Sequence, residues 1–231
     1  MSVRVTADNV DQDLYIYETK LDFGLDFGRK VLREVERDMS QFPLRNNYDL
    51  GNDVKAMVRK IGREKAAEIY RRKHQILDHF PDPKPIQFHQ LYLTPSLRDE
   101  LIDLAPKWIT ELAGPDPILQ VGGEGNILPP HKGHYRKCSI FLLLQSGGEE
   151  TRWYRNTEDF EVIDPLRIPD LDKVEQVISA TIPEMQWVVF NHKEWHSVHN
   201  YGGMKNRVNI GIDFFDIEAP DLVRVIKEHG Y

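Results

Sequence analysis

Nine histidines occur in the chain, and two groups of them flank segments that read as strands. The first is Pro129-Pro130-His131-Lys132-Gly133-His134-Tyr135-Arg136-Lys137-Cys138, a stiff Pro-Pro lead-in followed by an apolar run. The second is Asn191-His192-Lys193-Glu194-Trp195-His196-Ser197-Val198-His199-Asn200, reached from the apolar Trp187–Phe190. A histidine at the mouth of each of two strands far apart in sequence is one way for a β scaffold to hold a metal between its sheets. Neutral imidazole suits Fe(II), Ni, Cu or Zn. Arg207 opens a later strand, where alternation turns Arg207, Asn209, Gly211 and Asp213 to one face and Val208, Ile210, Ile212 and Phe214 to the other. An inward arginine needs an anion to offset its desolvation, and a small carboxylate would be met bidentately. Two imidazoles and one arginine together suggest a metal and a carboxylate-bearing cosubstrate.

The remaining histidines read more plainly. His74, His79 and His229 sit among charges at helix ends, and His89 lies within a strand candidate. His192 and His199 read as structural or supporting groups, with His192 the alternative to His196 as a ligand. Alternation sends His199 to the face opposite His196. His134 is a loop histidine close enough to His131 to matter.

These residues must be positioned by a chain of 231 residues with 40% hydrophobic and 29% charged residues. That composition excludes a disordered chain, and the length suits one domain spanning 1–231. Thirty basic against 37 acidic residues leave a net charge of −7, which removes the generic electrostatic attraction to nucleic acid or anionic membrane. The lone Cys138 excludes a disulfide framework and a Cys-rich zinc site, so any metal must rest on imidazole and oxygen. Met1–Val10 does not read as a signal peptide, and no run of about 18 apolar residues occurs. The expectation is a soluble, cytoplasmic protein. Its oligomeric state leaves no signal in the sequence.

Helical periodicity predicts helices over 25–39 and 53–79, and proline at 81, 83 and 85 stops the second. A strand candidate covers 86–93. Ser96 with Asp99 reads as a helix N-cap, with the helix running toward Leu112 and Pro106 as its break. Strand-like segments follow at 118–121, 136–145, 151–155, 174–181, 185–191 and 207–215, joined by glycine-rich turns such as Gly147-Gly148 and Gly202-Gly203. Cys138–Leu144 and Trp187–Phe190 are nearly continuous apolar runs, which predicts central strands covered on both faces. The fold class expected is α+β, mainly β. A double-stranded β-helix, or jelly roll, over 115–217 would follow helical support over 1–114 with one or two strands, and precede a tail helix in 218–231.

The pattern of His131, His196 and Arg207, eleven positions after His196, resembles the Fe(II)/2-oxoglutarate-dependent oxygenase superfamily. The resemblance covers about 118–216. It implies that His131 and His196 hold Fe(II) and that Arg207 pairs with the distal carboxylate of the 2-oxoglutarate cosubstrate. It implies O₂-dependent decarboxylation to succinate, a ferryl species, and attack on a C–H bond of a small-molecule or amino-acid-like substrate. Arg136, Ser139, Asn209 and Tyr154 would line the pocket, Arg136 as a second anion contact, with His134, Tyr154 and His199 as outer support.

Two residues after His131, where the superfamily carries Asp or Glu, stands Gly133. This His-x-Gly variant allows three readings, in order. Iron rests on two histidines, cosubstrate and water, as the aspartyl/asparaginyl β-hydroxylase branch implies, giving hydroxylation. Chloride fills the vacated position, as the radical halogenase branch implies. Otherwise the metal is lost or shifted, with His134 or Glu149 standing in. Rival classes are a non-catalytic small-molecule-binding jelly roll, motivated by Gly133, and a cupin-like metal isomerase, against which Arg207 argues. The basic stretch Arg59-Lys60…Arg71-Arg72-Lys73 reads as a solvated charged face.

Overall fold

The structure, a computed structural model, describes residues 14–47, 54–79, 88–123, 127–133, 135–163, 168–199 and 205–231. The proline stop at 81–85, His134 and the turn at 201–203 lie outside the described residues, as does the segment 1–10. In chain order the elements are β1 (Ile16–Glu18), α1 (Leu25–Asp38), β2 (Leu44–Asn47), α2 (Val54–Ile61), α3 (Arg63–His79), β3 (Phe88–Tyr92), α4 (Pro95–Leu104) and α5 (Lys107–Leu112). Then come β4 (Ile118–Gly122), β5 (Ile127–His131), β6 (Cys138–Gln145), β7 (Glu150–Asn156), β8 (Val174–Ala180), β9 (Trp187–Asn191), β10 (Trp195–His199), β11 (Arg207–Phe214) and α6 (Ala219–Glu228).

Two antiparallel sheets result. The larger has the order β1-β9-β6-β11-β4-β3-β2, and the smaller β5-β10-β7-β8. Numbering β4 to β11 as one to eight gives 1-8-3-6 in one sheet and 2-7-4-5 in the other, the strand order of a double-stranded β-helix. The fold is therefore mainly β, with the helices outside. β1, β2 and β3, all from before residue 93, extend the larger sheet at both edges.

Several boundaries differ from the sequence pattern for identifiable reasons. The periodic stretch 53–79 is two helices, because Gly62 takes φ 86°, a left-handed conformation that suits glycine and ends α2. The α4 helix starts from Thr94 with Pro95 at its first position, two residues earlier than a Ser96 cap would set it. The chain breaks between α4 and α5 at Ala105-Pro106, where proline places it. β5 contains Pro129-Pro130 and so reads poorly as a strand. It lies at the edge of the smaller sheet, where a missing N–H costs no ladder bond.

Strand alternation then divides the interior. On the outer face of the larger sheet, Ile140 and Leu142 of β6, Trp187 and Val189 of β9 and Val208–Phe214 at alternate positions of β11 pack under Val31, Leu101, Leu222 and Ile226 of the helices. Gly28 lets α1 approach closely, since a Cβ there would stand 2.8 Å from a Leu144 methyl. Between the sheets, Phe141, Leu143, Trp153, Ile182, Val188 and Phe190 form a second, smaller cluster. That cluster draws nothing from β4, β5, β10 or β11. The half of the sandwich those four strands enclose is where the polar residues point.

The basic helical stretch is only partly solvated. Arg72 of α3 is buried, donates to the Glu161 and Ile168 carbonyls and lies over the Phe160 ring. Arg71 bridges Glu68 and Asp170. These arginines tie α3 to Glu161, Ile168 and Asp170.

Candidate metal and cosubstrate site

β5 and β10 are neighbours, and their register sets His131 directly opposite His196. Their ring centroids are 4.3 Å apart. The Nδ1 of His131 lies 2.9 Å from the Pro129 carbonyl oxygen, and that of His196 2.8 Å from the Glu194 carbonyl oxygen. A carbonyl only accepts, so each Nδ1 carries the proton and each Nε2 keeps its lone pair. Fixing the tautomer through a backbone carbonyl is how proteins orient metal-ligating histidines. Burial pushes the His131 imidazole down to about 4 and that of His196 well below the ordinary histidine value. Both are neutral at pH 7, the state a metal ligand requires.

His192 stands beside this pair, its ring 5.4 Å from that of His196, with Phe190 packed against both. Its Nε2 lies 2.8 Å from the Ser139 hydroxyl, while its buried Nδ1 has no hydrogen-bond partner. Gly133 explains the crowding. A Cβ at 133 would fall 2.7 Å from the His192 Cβ and 2.8 Å from the Arg136 carbonyl oxygen. The Gly133 N–H also donates to the His192 carbonyl at 2.7 Å. An acid at this position is excluded by packing, because His192 holds the space its side chain would leave through. Among the described residues no group of three His, Cys, Asp or Glu side chains could enclose a metal ion. His131 and His196 are two neutral, oriented imidazoles that could hold a metal, and its other positions would fall to small-molecule oxygen.

The inner face of β11 continues the site. Arg207, Asn209 and Asp213 are all buried. The Arg207 Nε donates to Glu149 at 2.9 Å in a pair that is 6% and 1% exposed, and its guanidinium lies 5.6 Å from the Phe141 ring centroid. The other Glu149 oxygen accepts from the Ser146 hydroxyl and the Gly147 N–H. Glu149 is thus fully engaged, and it lies roughly four strand residues, on the order of 13 Å, from the level of His196. It does not stand in as a ligand. The Arg207 Nη groups make no protein hydrogen bond among the described residues, which leaves a fork for an incoming carboxylate. Two residues on, the buried Nδ2 of Asn209 has no acceptor. Gly211 follows, where a Cβ would meet nothing nearer than 4.0 Å. A charged fork and an orphan amide in one row are what a small bound carboxylic acid would satisfy.

The other residues singled out by sequence lie elsewhere. Tyr154 donates or accepts at 2.8 Å with the Ser197 hydroxyl, which lies 2.6 Å from the His199 Nε2. Alternation puts all three on the face of the smaller sheet opposite His196. Arg136 is 3.3 Å from Asp213 and its charge acts on all three clustered histidines. Trp153, Trp187 and Trp195 are core. So is Cys138, whose thiol burial pushes up beyond the usual range. Sequence reasoning missed Glu149 as the Arg207 partner and Arg45, from β2, as a neighbour of Asp213 at 4.0 Å. Asp213 was legible as an inner-face residue, but nothing in the sequence places β2 next to it.

No family model matches the sequence, and no curated protein matches it. Among solved structures, the chain is similar to the ribosomal oxygenase YcfD of Escherichia coli at 11% identity and TM-score 0.39, over 64% of this chain and 38% of that one. It is also similar to a Pseudomonas putida prolyl-4-hydroxylase at 14% identity and TM-score 0.39, over 87% of this chain and 91% of that one. The chain thus spans little more than a third of the length of the ribosomal oxygenase it matches. The fold assignment stands on the strand order, and the site on its own residues.

Proposed function

We propose that the protein is an Fe(II)/2-oxoglutarate-dependent oxygenase that hydroxylates a C–H bond of a small-molecule or amino-acid-like substrate. The observation that carries this reading is the cross-strand pair His131 and His196, two buried neutral imidazoles each with its Nδ1 tied to a carbonyl. Iron with 2-oxoglutarate and O₂ supplies the oxidising chemistry. The chain's own residues do the rest. His131 and His196 hold the metal, and the Arg207 fork takes the distal carboxylate of the cosubstrate, with Asn209 offering a further donor. Phe141, Phe190 and Trp153 keep water from the enclosed side. Glu149 holds Arg207 in place and offsets the cost of burying its charge before the cosubstrate arrives.

The test is anaerobic addition of Fe(II) and 2-oxoglutarate, reading the weak visible charge-transfer band of the chelate, then succinate release in air. A band that Arg207→Ala weakens and His196→Ala abolishes is expected. No band and no 2-oxoglutarate consumption would contradict the reading. Chloride at the missing acid's position is the second reading. The crowding of Gly133 by His192 favours hydroxylation, because it accounts for the glycine without a halide. A chloride-dependent shift of the band would reverse that preference.

A further inference from the structure

Asp213, near the end of β11, is buried on the inner face beside the metal pair: its register partner is Ser139, which bonds His192. One guanidinium would offset this carboxylate. Two converge on it. Arg136, from the segment between β5 and β6, places Nη1 3.3 and 3.5 Å from the two carboxylate oxygens. Arg45, from the β2 extension of the sheet, places Nη1 4.0 Å away, with its guanidinium 5.7 Å from the Tyr92 ring centroid. Each guanidinium has five N–H donors in a planar fork. Among the described residues Arg45 donates no hydrogen bond, and Arg136 spends one nitrogen on long contacts to Asp213. Both side chains reach solvent, at 32% and 17% exposure, while Asp213 is closed off at 4%. Among the described residues the cluster thus carries one uncompensated positive charge and most of its donors unspent, with the Arg136 charge felt by the clustered histidines and an Asp213 oxygen 4.0 Å from where a Cβ on Gly211 would stand.

We infer that Arg45 and Arg136 form a substrate subsite that takes an anionic oxygen group, a carboxylate or a phosphoryl monoester, and so aims the substrate at the His131–His196 centre. The inference rests on the oxygenase reading only for what the bound substrate then meets. Asp213 sets the two forks at one place and leaves their outer edges to the ligand. Arg207 is a separate site, since its counter-ion is Glu149 at the other end of β11. The substrate class this selects carries an acidic oxygen group, and neutral analogues are rejected because they leave the forks unpaired.

The experiment uses the full chain loaded with redox-inert Zn(II) and 2-oxoglutarate, followed through the arginine Nε–H signals in ¹⁵N NMR spectra. Benzoate, phenyl phosphate and neutral benzamide are the probes. Saturable shifts of the Arg45 and Arg136 signals with benzoate or phenyl phosphate, but not benzamide, are expected, and the tighter of the two names the anion source. Arg45→Gln, at an exposed side chain, should weaken that binding roughly tenfold or more while the chain stays folded. If 2-oxoglutarate moves the Arg207 signal but both anions bind no better than benzamide, or Arg45→Gln leaves their affinity intact, the inference is overturned and the oxygenase reading stands. If 2-oxoglutarate leaves Arg207 unmoved, the oxygenase reading fails. The same titration on the metal-free chain then still decides the subsite, through its dependence on Arg45.

Discussion

The two faces of β11 are buried to the same degree and built from opposite chemistry. Every residue of β11 is buried, yet Val208, Ile210, Ile212 and Phe214 meet helices while Arg207, Asn209, Gly211 and Asp213 face the smaller sheet. The outer face is complete in itself: apolar area leaves water and every contact is within the chain. The inner face is unfinished. It holds an arginine fork with unused donors, an amide with no acceptor and a glycine with room above it. Burial on one face stabilises the fold; on the other it costs stability that a bound metal and acid would return.

Acid separates the faces most strongly. His131, His192 and His196 by the inner space, and His199 behind it, are held neutral by burial, His131 and His199 down to about 4. Unfolded histidines bind protons from about 6.5 downward. Between that value and about 4 the unfolded chain takes up more protons, so stability falls as pH falls, by up to ~1.4 kcal/mol per pH unit for each histidine. Urea midpoints measured at pH 7 and pH 5 should differ markedly, and a flat profile would refute the neutral-histidine arrangement.

Next comes a pair of adjacent substitutions with opposite signs. Ile210→Ala empties a fully buried outer-face site and should cost about 2–5 kcal/mol by chemical denaturation. Asn209→Leu on the inner face removes an unsatisfied amide, so it should leave stability unchanged or raise it by ~1 kcal/mol, while weakening 2-oxoglutarate binding. Equal losses at both positions would erase the distinction between the faces. Gly133→Ala should destabilise by about 1–3 kcal/mol, because the new methyl meets His192 and the Arg136 carbonyl. For the same reason Gly133→Asp should not restore a third ligand, which titration with Fe(II) would show as unchanged or lowered affinity. The smallest effect belongs to Tyr154→Phe, about 1 kcal/mol from the lost Ser197 bond and no change in metal affinity.

Alternation in 207–215 and the apolar runs of β6 and β9 were legible because strand period and burial coincide there. The histidine-bearing strands were not. Pro129-Pro130 disguises β5, and Trp195–His199 mixes polar and aromatic residues on both faces of β10. The residues that complete the site are separated by long stretches of chain, such as Glu149 from Arg207 and Arg45 from Asp213, and only the sheet order brings them together. Gly133 was visible as a missing acid, but its cause, the Cβ of His192 packed against it, is a fact of tertiary packing.

The most direct test of the paired-histidine centre is anaerobic Fe(II) affinity across four single variants: His131→Ala, His196→Ala, His192→Ala and His199→Ala. The first two should lose roughly 100-fold or more, beyond what removal of an outer support costs. His192→Ala should lose less, and His199→Ala, on the opposite face, should bind as the parent does. If His199→Ala lost as much as His196→Ala, or if His131→Ala kept its affinity, the two imidazoles facing each other across β5 and β10 would not be the metal site.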